Sequence, residues 1–210
     1  EPSARVSCME ELQKLVLRYP ELSPCLSEVK KGAELLLSCF RKSRKLLLCG
    51  NGGSCADCEH IAGELVKQFS RSRPLPAELE KKLGPALAKE LHGGLPALSL
   101  PSMIGFHTAF NNDDNPEYAF AQQVIAFGQE GDVLMGISTS GNSTNVIRAA
   151  ETARAMGLKV LSLTGREGGL LAPLADVAIQ APASEVARVQ ELHLPIYHSL
   201  CQIVEDTLFP

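Results

Sequence analysis

No stretch of this 210-residue chain approaches the run of about 18 apolar residues that a membrane-spanning helix requires. The amino terminus, EPSARVSCMEELQ, also lacks the basic flank and apolar centre of an export signal, so a soluble, unexported, cytoplasmic protein without membrane contact is expected. Positive charge is scarce as well. Twenty Lys and Arg stand against 24 Asp and Glu, for a net charge of −4 and a pI near 5.8, and this balance excludes the broad basic footprint of a nucleic-acid partner. Seven cysteines, an odd number spread from Cys8 to Cys201, are not the framework of a disulfide-stapled domain, and a reducing compartment suits them better. Only Cys55 and Cys58 have C-x-x-C spacing. Without a second such pair, small residues at a helix start explain them better than a zinc or redox site.

What is present is a chain with 45% hydrophobic residues, enough to bury a substantial core in one α/β domain covering 1–210. Leu12, Leu15 and Val16, then Val29, Ala33, Leu36, Leu37 and Phe40, recur at helical intervals, so two amphipathic helices over 8–19 and 25–42 fill the leading segment 1–43. Short continuous apolar runs follow at Lys45–Cys49, Pro96–Leu100, Val133–Ile137, Lys159–Leu163 and Val177–Ile179, each reading as a buried parallel strand. Helical patterns separate most of them. The alternation predicts a five-stranded parallel sheet between two helical layers, with ligands beyond the carboxyl ends of the strands. Residues 71–95 interrupt the pattern with Arg73-Pro-Leu-Pro76, Gly84-Pro85 and Gly93-Gly94, an insertion that serves as a solvated flap, a lid or a subunit contact.

Two loops have the composition of anion sites. Gly50-Asn-Gly-Gly-Ser54 joins the first strand to a helical pattern through Ile61, Leu65 and Phe69. Glycines let a ligand approach the chain, and a helix start offers unpaired N–H groups with about half a positive charge. Asn51, Gly52, Gly53 and Ser54 are therefore candidate phosphate ligands. The second loop, Ser138-Thr-Ser-Gly-Asn-Ser143, again lies between strand and helix, and Ser138, Thr139, Ser140, Asn142 and Ser143 offer donors to phosphate oxygens. N-capping needs one such residue, and this loop supplies several. The Walker lysine is missing, and the glycine spacing at Gly50 does not fit a dinucleotide site.

On the helix after the first loop, His60 and Glu64 are one turn apart and share a face. Such a pair is ordinarily a surface contact, but its place beyond an anion loop favours chemistry, with Glu64 as a base or the pair as ligands of a divalent metal. The terminal helix adds Gln190, His193 and His198. His193 and His198 are five residues apart and face directions roughly 140° apart, so at most one is well placed.

GNGGS with His60 and Glu64, Asn112-Asp113, GDVLMGISTSGNS, LTG with Gly168-Gly169, and Gln190-Glu191-Leu192-His193 with His198 resemble the sugar isomerase (SIS) family, and within it the phosphoheptose isomerases, from about residue 44 to the end. The resemblance implies an aldose–ketose isomerase working through an enediol on sedoheptulose 7-phosphate, to give D-glycero-D-manno-heptose 7-phosphate for nucleotide-activated heptose. It implies an α/β/α sandwich, a homotetramer with sites between subunits, and a zinc ion held by His60, Glu64, Gln190 and His198. Glu64 and His198 would move protons, Gln190, Asn112 and Asp113 would hold substrate, and His193 would be structural. Gln190 and His198 lie about 12 Å apart on an ideal helix, a strain that a bend at Pro195 or a neighbouring subunit would relieve. Two positions depart from the pattern: Ala187 stands where these isomerases often carry aspartate, and Gln68 where they carry arginine. The alternative is a non-catalytic SIS protein that binds a phosphosugar or a protein partner, similar to the replication-initiator-associating proteins. Those typically lack the acid and the histidine, which this chain retains.

Overall fold

The computed structural model describes residues 2–210, with side chains from residue 8 onward. Glu1 and the side chains of 2–7 lie outside the described residues, and with them part of the amino-terminal reading. The five apolar runs are strands β1 (Leu46–Gly50), β2 (Ala97–Ser99), β3 (Val133–Ser138), β4 (Lys159–Thr164) and β5 (Val177–Gln180). They pair in parallel in the order β2-β1-β3-β4-β5. The second run is shorter than its apolar pattern, because Leu100 enters a 3-10 turn with Pro101, whose ring nitrogen has no donor for a ladder.

The helices are α1 (Pro2–Arg18), α2 (Leu26–Arg41), α3 (Gly53–Val66), α4 (Ala77–Ala88), α5 (Ile104–Asp113), α6 (Ala119–Phe127), α7 (Thr144–Ala155) and α8 (Val186–Leu208). Side chains alternate across a strand, so a sheet with two covered faces needs apolar residues in unbroken runs. Leu46, Leu48, Met135, Leu161 and Ile179 point into one core with α1, α2, α3 and α8. Leu47, Cys49, Leu134 and Val160 point into a second core with α6 and α7. The result is the expected three-layer sandwich.

The sheet order reverses between β1 and β3, so the two glycine and hydroxyl loops leave neighbouring strands side by side, at the crevice where open α/β sheets bind ligands. The 71–95 segment carries α4, which has no buried residue and breaks at Gly84 (φ 74°). Its ends are tied down instead. The Gly93 N–H donates to Arg73 O at 2.8 Å, and Arg73, fully buried, donates through Nε to Glu205 Oε1 at 2.7 Å. Glu205 also accepts from the N–H groups of Phe69, Ser70 and Arg71 at 2.7, 2.6 and 2.9 Å. Burial opposes its ionisation, but those donors and Arg73 outweigh it and hold the carboxyl below its ordinary range. Among the described residues every cysteine is free, and no helix is long and apolar enough to cross a membrane.

Candidate active site

The two ends of α3 carry two different kinds of site. At its start, Gly52 adopts φ 56° and Gly53 opens the helix. A Cβ on Gly53 would lie 2.4 Å from Gln190 Nε2, so α8 can bring its glutamine onto the loop only because residue 53 is glycine. Ser54 is buried, whereas Asn51 is exposed. Asn51 and Asn145, the second residue of α7, exchange two amide hydrogen bonds of 2.8 and 2.9 Å across the crevice. A cleft of about 270 Å³ opens here, lined by Gly50, Asn51, Gly52, His107, Asn111 and Asn145.

The second loop is braced from behind. Gly141 adopts φ 67°, and a Cβ on it would fall 2.0 Å from Gly168 O, an approach that only glycine permits. Asn142 Oδ1 accepts from Leu170 N–H at 3.0 Å and its Nδ2 donates to Ser140 O at 3.2 Å, while Thr139 O accepts from Gly165 N–H at 2.9 Å. Asn142 is thus engaged in holding the loop. Ser143 stands at the N-cap position of α7 without capping it, and its hydroxyl meets that of Ser138 at 3.0 Å. Simple capping does not account for the serines.

At the far end of α3, His60 and Glu64 do share a face: His60 Nε2 lies 3.3 Å from Glu64 Oε1. The same nitrogen lies 3.4 Å from His198 Nε2 of α8. His60 Nδ1 is 3.0 Å from the hydroxyl of Tyr197, a buried residue that sequence reasoning passed over because a tyrosine on an apolar helix face reads as core. Burial first, and then the His60 ring, hold His198 below the ordinary imidazole range. A cavity of about 470 Å³ opens beside His198, with Lys14, Arg18 and Tyr19 of the α1 side on its wall. The Glu64 backbone is held from behind, where the Arg73 guanidinium donates to the carbonyls of Glu64, at 3.0 Å, and of Leu65.

Other expected residues fall elsewhere. Helix α8 runs through Pro195 as one element, so Gln190 stays near Gly53 while His198 stays near His60. Asn112 and Asp113 are exposed at the end of α5, joined to each other at 2.8 Å, and it is His107 and Asn111 of that helix that line the cleft. His193 is fully buried with Nε2 3.1 Å from Thr164 O, and burial pushes it down to about 4. Gln68 lies half-buried with an unpartnered Oε1, and Ala187 is exposed on the first turn of α8. Cys58 is buried and its thiol is pushed well up by that burial.

Among the described residues no three His, Cys, Asp or Glu side chains are gathered so as to hold an ion. What His60 offers is two separations from one nitrogen, 3.3 and 3.4 Å, close to the roughly 3.3 Å edge of a tetrahedron with bonds of about 2.0–2.1 Å to zinc. The donor types, imidazole and carboxylate, are those zinc accepts.

A doubly wound sheet with two hydroxyl- and glycine-rich loops at its switch point, and a paired acid and imidazoles nearby, defines a phosphosugar-binding α/β protein of the isomerase type. Residues 25–165 match the SIS domain family, and the chain belongs to that family, on its phosphoheptose isomerase branch. The phosphoheptose isomerase of Shewanella loihica is 38% identical over 185 residues, 87% of this chain and 84% of the relative. The solved phosphoheptose isomerase of Francisella tularensis superposes with a TM-score of 0.75 at 30% identity, covering 93% of each chain. That of Neisseria gonorrhoeae gives 0.72 at 33% identity, covering 95% of this chain and 92% of its own.

Proposed function

We propose that the chain is a sugar-phosphate aldose–ketose isomerase that converts sedoheptulose 7-phosphate to D-glycero-D-manno-heptose 7-phosphate, the entry to nucleotide-activated heptose, in the cytoplasm. The observation that carries this reading is the place of His60 between two helices' groups, its Nε2 3.3 Å from Glu64 Oε1 of α3 and 3.4 Å from His198 Nε2 of α8. Ketose-to-aldose conversion moves a proton from C1 to C2 through an enediol, and a single carboxylate can remove it and return it. Glu64 has that role. Burial favours the neutral ring of His198, and a neutral imidazole has both a donor and an acceptor nitrogen, as needed to give a proton to O2 and take one from O1. The terminal phosphate is bound by Asn51, Gly52, Gly53, Ser54, Ser138, Thr139, Ser140 and Ser143 and by the first turn of α3, with Asn142 bracing the loop. Asn112 and Asp113, exposed at the end of α5, hold sugar hydroxyls, as the resemblance implies.

Of the residues that the resemblance assigns to zinc, His60 has Glu64 and His198 each about one tetrahedral edge away; the three are not gathered around one ion position as they stand, and zinc bound there would supply charge to stabilise the oxyanion of the enediol. Gln190 joins them only from another chain, since its own copy sits beside Gly53.

From Gly53 to Glu64 helix α3 rises roughly 16 Å. A seven-carbon chain with bonds of about 1.5 Å spans no more than about 10 Å to its phosphorus. This separation favours a site shared between copies, in which a substrate held at one chain's loops meets the acid of a second. The apolar groove of about 540 Å³ around Met9, Leu12, Val16, Leu17 and Leu26, with Leu17 81% exposed, supports self-association, and the homotetramer is the form that the resemblance implies.

Incubation with a panel of ketose phosphates, with and without a chelator, tests this. Turnover of sedoheptulose 7-phosphate is expected, with a roughly 100- to 10,000-fold loss in Glu64→Gln and His198→Asn. Full turnover by both variants would contradict the assignment.

A further inference from the structure

We propose that the cleft between the first loop and α5 is a subsite for the sugar hydroxyls nearest the phosphate, and that His107 and Asn111 hold them and so set which sugar phosphate is accepted. The inference rests on the isomerase reading above and concerns two residues to which that reading gives no part.

His107 and Asn111 are one turn apart on α5, so they share a face of that helix, and both line the cleft of about 270 Å³. Gly50, Asn51 and Gly52, the backbone of the loop that takes the phosphate, line it too. A phosphate on that loop brings the carbons next to it to the cleft. In sedoheptulose 7-phosphate these are C6 and C5, each with a hydroxyl. Pro101 and Phe120 add apolar surface for the C–H side of a sugar, which leaves discrimination to the few polar groups present.

His107 is fixed with one nitrogen to spare. Its Nε2 lies 3.1 Å from Leu100 O, and because a carbonyl can only accept, that nitrogen carries a proton. Gln123, 1% exposed, donates to the same carbonyl at 2.8 Å and anchors it. The imidazole also meets Phe106 and Phe120 edge-on, with centroids 5.3 and 5.4 Å apart. In a neutral ring so held, Nδ1 is an acceptor. Among the described residues nothing bonds to it, and the Asn111 amide has no partner either, whereas Asn112 is tied to Asp113 at 2.8 Å. A hydroxyl both donates and accepts, and an oriented acceptor beside an unengaged amide serves it in both capacities.

Kinetics and calorimetry on the full chain, with sedoheptulose 7-phosphate, its 5-deoxy and 6-deoxy analogues and inorganic phosphate, test the subsite. His107→Gln keeps an amide N–H for the Leu100 carbonyl while removing the Nδ1 acceptor, and Asn111→Ala removes the amide from an exposed helix position. Each should weaken binding of sedoheptulose 7-phosphate and lower kcat/KM about 3- to 10-fold, while inorganic phosphate binds as before. The unaltered chain should disfavour a deoxy analogue by a similar factor, and that penalty should disappear in the variant that has lost the partner of the missing hydroxyl. A penalty that persists in both variants, or a weakening shared equally by inorganic phosphate, would overturn the inference. If His107→Gln failed to fold, Asn111→Ala would decide. If the chain bound sedoheptulose 7-phosphate with this pattern but did not turn it over, the subsite would stand and the isomerase reading would fall. Turnover that neither variant altered would keep that reading and remove the subsite.

Discussion

The two ends of helix α3 solve different problems with different materials. The amino-terminal end is backbone and small residues: Gly52 and Gly53 at the helix start, Gly141 packed on Gly168, and hydroxyls that can turn to any oxygen. The carboxy-terminal end is large side chains, His60, Glu64, Tyr197 and His198, fixed by one another and by Arg73. A phosphate is bound through many weak donors whose placement the fold sets once, whereas proton transfer needs a few groups placed within hydrogen-bond reach. The comparison teaches that one helix can present two different kinds of surface at its two ends, which the proposed shared site would use as two half-sites.

Damage to either end should therefore show a different signature. The largest effect is expected for Arg73→Met, which leaves Glu205 charged and buried, 0% exposed, with its Arg73 bond gone and only backbone and Ser70 donors left. Unfolding in urea should report a loss of about 3–5 kcal/mol. The surviving fold should have a reduced kcat at unchanged phosphate affinity, because the Glu64 carbonyl loses its tie. A smaller effect concerns His193, which tethers α8 to the end of β4 beside the loops. Its folded pKa of about 4 lies below the unfolded value of 6.5, so the unfolded chain takes up the proton first, and stability falls as pH drops from 6.5 to 4. The limiting loss is about 3 kcal/mol, and it should vanish in a His193→Gln comparison measured by denaturation at each pH. The smallest effect is expected for Asn142→Ala, which releases Leu170 N–H and Ser140 O at the surface. About 1 kcal/mol of stability should be lost, and KM should rise several-fold with kcat nearly unchanged. Equal losses of kcat in Arg73→Met and Asn142→Ala would erase the distinction between the ends.

Much of this was legible in the chain. The five strands announce themselves because a sheet covered on both faces needs apolar residues at successive positions, and each such run ends at a glycine, serine or turn. The loops are legible because glycine and hydroxyl residues follow two of those runs, and His60 with Glu64 because their spacing fits a helix. Tyr197 was not legible as a neighbour of His60. That contact depends on α8 lying along α3 and joins residues 137 apart. The anchor of the 71–95 segment is equally remote, Arg73 and Glu205 being 132 residues apart. His107 and Asn111 escaped notice beside the more suggestive Asn112-Asp113, since only the packing of α5 decides which side of that helix lines the cleft. The eight-residue gap between Gln190 and His198 already separated them along one helix, and the uninterrupted α8 keeps Gln190 beside Gly53 and His198 beside His60.

Mixing two disabled chains tests most directly whether one copy's loops work with another copy's acid. Glu64→Gln keeps the loops, and a chain with Ser138, Ser140 and Ser143 replaced by alanine keeps the acid. If sites are shared between subunits, unfolding and reassembling the two together should restore about a quarter of the unaltered activity, as random pairing in a symmetric oligomer gives. Activity that stays at the level of the two inactive parents, in an assembly shown to contain both chains, would place loop and acid in the same subunit and contradict the account.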